Sequence, residues 1–216
     1  MGVRENETKT GNAAGFEGVG EVFLASRSPR RRALLNEAGL PHRFGHPGIE
    51  DSELEPGRVS PAQWVAALAY LKARAGMESI KNDADVVIGA DTACVKDGEL
   101  IGTPADAAEA ERIVRRLSRG RHEVVTGVAL LEPRTGRRDL FVDCASVNVG
   151  DLSDDMVREY IASGQWAGKA GAYNLSERIA GGWPIEYVGR ADTIMGLPVA
   201  PLKKRLARLS ATESAA

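Results

Sequence analysis

Cysteine is scarce in this 216-residue chain: there are two, Cys94 and Cys144, each set in an apolar run. A disulfide would need an oxidising compartment that nothing else supports, so both read as reduced thiols packed as small hydrophobes. Long apolar runs are missing as well, and no membrane-spanning helix is expected. The first residues hold no secretory apolar core, because Arg4, Glu5, Glu7 and Lys9 are mixed with Gly11, Gly15, Gly18 and Gly20. Residues 1–19 are read as a flexible tail ahead of a domain spanning residues 20–210, and the chain as cytoplasmic. Charge imbalance is absent too. A formal net charge of -2 gives no global attraction to nucleic acid or an anionic membrane, and neither is expected as a partner. There is no Gly-x-x-x-x-Gly-Lys-Ser/Thr phosphate loop, no dinucleotide glycine fingerprint and no His-Glu-x-x-His. His42 and His46 share a loop with Pro41 and Pro47 but lack a zinc pattern, and nothing places Ser26 and His122 in a triad.

What remains is the composition of a soluble globular protein, with 43% hydrophobic and 27% charged residues. The length fits one large α/β domain or two closely joined lobes. Val22 to Ala25 reads as a buried strand, followed by Ser28-Pro29 as helix cap and first residue, with Gly39 as the stop. Residues 45–59 read as a loop, and Ser60-Pro61-x-Gln63 opens a second helix with capping-box spacing. Asp85 to Ala90 is expected to be a central strand ending at Ala90, and Asp97-Gly98 a hairpin turn. Asp106 opens a third helix, Val124–Leu131 and Leu140–Val149 form two long strands, and Ser153 caps a fourth helix. Gly-rich loops are expected over residues 164–192 and a basic amphipathic helix over Leu197 to Leu209. The alternation of strands and helices argues α/β.

Three places carry candidate chemistry. Arg30 and Arg31 fall in the first turn of the first helix, where cations oppose the helix dipole and an anionic ligand would reverse the sign. The alternative is a solvated arginine cluster. Lys72 falls on the core side of its helix, near a stripe of Trp64, Leu68, Leu71 and Ala75, and either snorkels outward or serves an anion. Asp91-Thr92 follows an apolar strand, where ligands of open α/β sheets bind, although a plain turn aspartate is the other reading. Glu50-Asp51 adds a second acidic pair, and hard oxygens from two segments suit Mg²⁺.

Taken in order, these segments resemble the Maf family of nucleotide pyrophosphatases. The opening Leu24-Ala25-Ser26-Arg27-Ser28-Pro29-Arg30-Arg31 looks like its N-terminal signature, and Leu68 to Ala75 like its lysine-bearing helix. Ile88-Gly89-Ala90-Asp91-Thr92 is similar to its catalytic segment, and Leu117 to Gly127, Lys169 to Tyr173 and Gly196-Leu197-Pro198 follow in order. The resemblance implies a bilobal, inosine-triphosphatase-like α/β fold with an extended mixed sheet and an interlobe cleft. It implies a homodimer, a divalent cation (Mg²⁺ or Mn²⁺), and hydrolysis of a nucleoside triphosphate to monophosphate and pyrophosphate. Asp91 would be the general base or metal-bound carboxylate, with Asp51 as the second metal ligand. Ser26, Arg30, Arg31, Lys72, Thr92 and Lys169 would hold the substrate.

Three positions depart from the family pattern. Asp51 stands for a glutamate, Thr103 for a phosphate-facing lysine, and Asn174-Leu175-Ser176 for Gly-Ile-Gln, which removes a glutamine associated with base selection. Arg30 and Thr92 agree with members preferring dTTP and UTP, and Ser176 does not. Other members favour 7-methyl-GTP or another modified nucleotide. The lost lysine and glutamine also suit a nucleotide-binding regulator with weakened catalysis.

Overall fold

The computed structural model describes residues 16, 18–49 and 54–213. Seven strands form one mixed sheet: β1 (Val22–Ala25), β2 (Arg43–Gly45), β3 (Val86–Lys96), β4 (Glu99–Ile101), β5 (Gly120–Leu131), β6 (Arg138–Val149) and β7 (Ile185–Val188). Their order is β2-β1-β3-β5-β6-β7, with β4 hydrogen-bonded to the end of β3. Pairing is parallel from β2 through β1 to β3 and antiparallel from β3 onward. The helices are α1 (Pro29–Glu37), α2 (Pro61–Ser79), α3 (Ala107–Leu117), α4 (Asp154–Ala162), α5 (Leu175–Ala180), α6 (Ala191–Ile194) and α7 (Val199–Glu213).

The two lobes follow from the length of β3, β5 and β6, which at 11 or 12 residues reach about 36–40 Å. No single helix layer covers that span. On one face, Leu24, Ile88, Val128 and Leu130 pack against Leu34 and Leu35 of α1 and Leu202 and Leu206 of α7. Farther along the same face, Cys94, Val124 and Val147 pack against Ile113 and Val114 of α3 and Val157 and Tyr160 of α4. Because side chains alternate with period two, Ile88, Ala90, Thr92 and Cys94 share this face. The two covers part at Thr92, and the cleft opens there.

The opposite face is crossed by α2, whose Ala69 and Ala73 meet Phe23, Ala25 and Val87, and whose Val65 meets Ala93 and Val125. This approach is close: a Cβ on Gly89 would lie 2.1 Å from the Ala69 carbonyl oxygen, and one on Gly127 2.5 Å from that of Val65. Small residues therefore set the height of α2 above the sheet.

Several expectations need correction. β3 does not end at Ala90 but continues to Lys96, because β5 pairs with it in register from Val87 to Val95. The buried stripe of α2 is Val65, Leu68, Ala69, Lys72, Ala73 and Gly76, whereas Leu71 is exposed. The sheet took the small residues and turned the larger ones outward. Residues 164–192 are not loop throughout, since they contain α5, β7 and the start of α6. Within the expected tail, Phe16 is buried in the core beneath Lys203, while residues 1–15 and 17 lie outside the described residues.

Candidate active site

The site sits where the sheet has a gap. Along one edge of β3, β1 pairs as far as Gly89 and pairing with β4 begins at Cys94, so among the described residues Ala90 to Ala93 have no strand neighbour on that side. Side chains from both faces meet there, beyond the carboxyl end of β1. The result is a cleft of about 610 Å³, within the usual size of small-molecule sites.

From below, α2 delivers Lys72. Its Nζ lies 2.6 Å from Asp91 Oδ1, with the two side chains 10% and 12% exposed. A pair this buried is held by geometry, and α2 is seated by Gly89 and by Gly127, the register partner of Asp91. From above, α1 delivers its arginines. Ser28 caps that helix, accepting from the Arg31 amide. The Arg31 guanidinium donates to Gly196 O at 2.8 Å, Ser26 Oγ at 3.2 Å and Thr92 Oγ1 at 3.1 Å. Thr92 lies 2.9 Å from the Thr126 hydroxyl, which donates to Thr193 O at 2.8 Å. Each hydroxyl oxygen in this run is therefore satisfied, and it ties α1, β3, β5 and α6 together across the mouth of the cleft.

Arg30 is different. It lines the cleft half-buried and makes no hydrogen bond or ion pair with another described residue. Arg27, Arg30, Arg31 and Lys72 line the cleft with a single carboxylate among the described residues, that of Asp91. The balance of charge favours an anionic ligand.

The structure thus brings Ser26, Arg30, Arg31, Lys72, Asp91 and Thr92 to one cleft. Lys169 stands apart: its Nζ is held by Glu177 at 2.6 Å, and only its neighbours Gly168 and Ala170 line the cleft. Thr103 lines the cleft, but Ser176 does not. Asp51 lies outside the described residues. Among the described residues no three of His, Cys, Asp and Glu cluster as a metal cage. Two residues that sequence reasoning passed over line the cleft: Asn174, the cap of α5, and Tyr173. The Asn-x-x-Glu spacing from Asn174 to Glu177 was a cap signal available in the sequence.

Tyr173 is anchored from behind by His122, whose Nε2 lies 2.8 Å from the phenol oxygen in an edge-on contact. Burial, with Lys96 as a lesser cause, pushes the His122 pKa down to about 4 from the usual 6.5. The folded chain therefore keeps the ring neutral while the unfolded chain takes up a proton below about 6.5. Between those values the unfolded state holds more protons, so stability is lost as pH falls. Between pH 7 and 5 the wild type is expected to lose about 2 kcal/mol more than His122→Gln. Denaturant midpoints of both proteins at the two pH values measure this, and parallel losses would refute it.

A model of the Maf family, described as Maf-like protein, matches residues 21–209. The dTTP/UTP pyrophosphatase of Pelotomaculum thermopropionicum is 38% identical over 186 residues, covering 86% of this chain and 95% of its own. That of Desulfitobacterium hafniense is 37% identical, covering 86% and 83%. That of Symbiobacterium thermophilum is 38% identical, covering 83% and 89%. A crystal structure of a nucleoside-triphosphatase / dITP/XTP pyrophosphatase from Mycobacterium abscessus aligns over 61% of this chain and 75% of that one, with 18% identity and a TM-score of 0.37. With the family pattern running from β1 into α7 and relatives alike over most of both chains, this protein belongs to the Maf family.

Proposed function

We propose that this protein hydrolyses a nucleoside triphosphate to its monophosphate and pyrophosphate, with dTTP and UTP preferred. The observation that carries the reading is the buried Lys72–Asp91 pair at the floor of a cleft whose mouth carries Arg30 and Arg31. The activities named for its relatives support it. Phosphoryl chemistry asks a protein mainly for positioning and charge neutralisation, and this arrangement offers both.

In the reaction, a water oxygen bonds to the α-phosphorus as the bond from that phosphorus to the bridging oxygen breaks. Pyrophosphate departs with the bridging oxygen. Asp91 accepts the proton of the water, and Lys72 fixes the orientation of its carboxylate. Arg30, with no other partner among the described residues, binds the departing phosphates, and Arg31 holds Ser26 and Thr92 in place beneath them. Among the described residues, the carboxylate that a divalent cation fits in this cleft is that of Asp91. Mg²⁺ takes one or two carboxylates plus phosphate oxygens and water, which Asp91 and a bound triphosphate supply. It would be held by Asp91, with Asp51 as a second ligand, and when bound would neutralise phosphate charge.

The test is a panel of nucleoside triphosphates with Mg²⁺ or Mn²⁺, with products identified by mass. Monophosphate and pyrophosphate from UTP and dTTP are expected. Orthophosphate as the product, or no turnover of any nucleotide, would sink the reading. The same reading takes the protein to be a cytoplasmic homodimer. The exposed Tyr187 and Val188 of edge strand β7 are surface a second copy would cover, and sedimentation at the mass of a single 23.0 kDa chain would count against it.

A further inference from the structure

The side chain of Asn174 is engaged at one end only. Its Oδ1 accepts from the Glu177 amide at 3.2 Å and from the Ser176 hydroxyl at 2.8 Å. Those two donors settle which end of the amide is oxygen. The Nδ2 end makes no hydrogen bond with another described residue, yet it is not one of the sealed atoms without a partner. Asn174 is 6% exposed and lines the cleft. A buried donor left without an acceptor is costly, and a fixed one is prepared for a ligand.

We propose that Asn174 selects the nucleotide base by donating from Nδ2 to the carbonyl oxygen at ring position 4 of uracil or thymine. The proposal rests on reading the cleft as a nucleoside triphosphate site. Cytosine carries an amino group at that position, which would set donor against donor. The amide cannot turn over to present its oxygen without stripping the acceptor from the Glu177 N–H and ending the cap of α5. Rejection of cytosine is therefore built in rather than left to fit. Leu175, Ile194 and Met195 give the cleft apolar lining against which a flat ring is buried. Ser176 acts only behind Asn174, helping to hold its oxygen, so the donor in this chain lies two positions before the serine that departs from the family pattern.

Asn174→Ser and Asn174→Asp test this, because both residues cap helices well and the thermal midpoint serves as the folding control. The readouts are kcat/KM for UTP, dTTP and CTP, and calorimetric binding of the α,β-methylene analogues of UTP and CTP. The wild type is expected to favour UTP over CTP by at least about tenfold, the worth of one hydrogen bond. Asn174→Ser removes that preference, and Asn174→Asp shifts it toward CTP by offering an acceptor. A UTP:CTP ratio that both folded variants retain, or no preference in the wild type, overturns the proposal while leaving hydrolysis standing. Analogue binding that prefers UTP and loses the preference in Asn174→Ser, with no turnover, supports this assignment and overturns the hydrolytic one. No binding of either analogue overturns both.

Discussion

Asp91→Asn is expected to lower kcat by about a thousandfold, in the middle of the range for loss of a general base. The substitution is nearly isosteric, and an amide oxygen still faces Lys72 across the present 2.6 Å contact. Position and shape are kept, while the capacity to take a proton from water is lost. KM should therefore move far less than kcat, which is the signature of an interaction used in the transition state. Lys72→Met makes the useful comparison. If Lys72 only orients Asp91, its loss costs kcat less than Asp91→Asn does, and the double variant is little worse than Asp91→Asn alone. Steady-state kinetics of the three variants measure this. Retention of more than about a tenth of wild-type kcat in Asp91→Asn would remove the carboxylate from the chemistry. A nucleotide-binding regulator gives a different pattern: the wild type binds without turnover, and Asp91→Asn changes that binding little.

The parts of this site that sequence made legible are those fixed by local rules. The Ser28 and Ser60 caps, the prolines after them and the Asp97-Gly98 hairpin all stand where the local signals put them. Lys72 was visible because a charge on the core side of an amphipathic helix demands a partner. What sequence could not supply was the partner's position. The sequence pattern puts Asp91 past the end of its strand; it sits within one, and the opening beside it comes from β1 stopping at Ala25 and β4 ending at Ile101, the partner of Cys94. That gap depends on three separate segments and leaves no local trace. The double role of Asn174 was hidden in the same way. The cap spacing that places its oxygen is present in the sequence but was passed over, and its nitrogen is defined only by what surrounds it in three dimensions.

A large structural effect is expected from Gly127→Ala. Gly127 pairs with Asp91 across the sheet and faces α2. A Cβ there would lie 2.5 Å from the carbonyl carbon and oxygen of Val65 and 2.7 Å from the Ala66 nitrogen. These are main-chain atoms inside a helix, so no rotamer change relieves them, and α2 must move off the sheet by roughly 1 Å. Overpacking of this kind costs about 3 kcal/mol, which lowers the thermal midpoint by about 10 °C for a chain of this size. The displacement also has a chemical consequence, because α2 is what sets Lys72 against Asp91. Activity should fall even at temperatures where Gly127→Ala remains folded, and by more than the loss of folded protein accounts for. Gly102→Ala is the control, since a Cβ at Gly102 meets nothing within 4 Å. Calorimetric scans and rates per folded molecule for the two variants separate the effects. Equal midpoints would mean that α2 is not held at the height the two glycines set. A lowered midpoint with unchanged turnover per folded molecule would mean that the Lys72–Asp91 distance does not govern the chemistry.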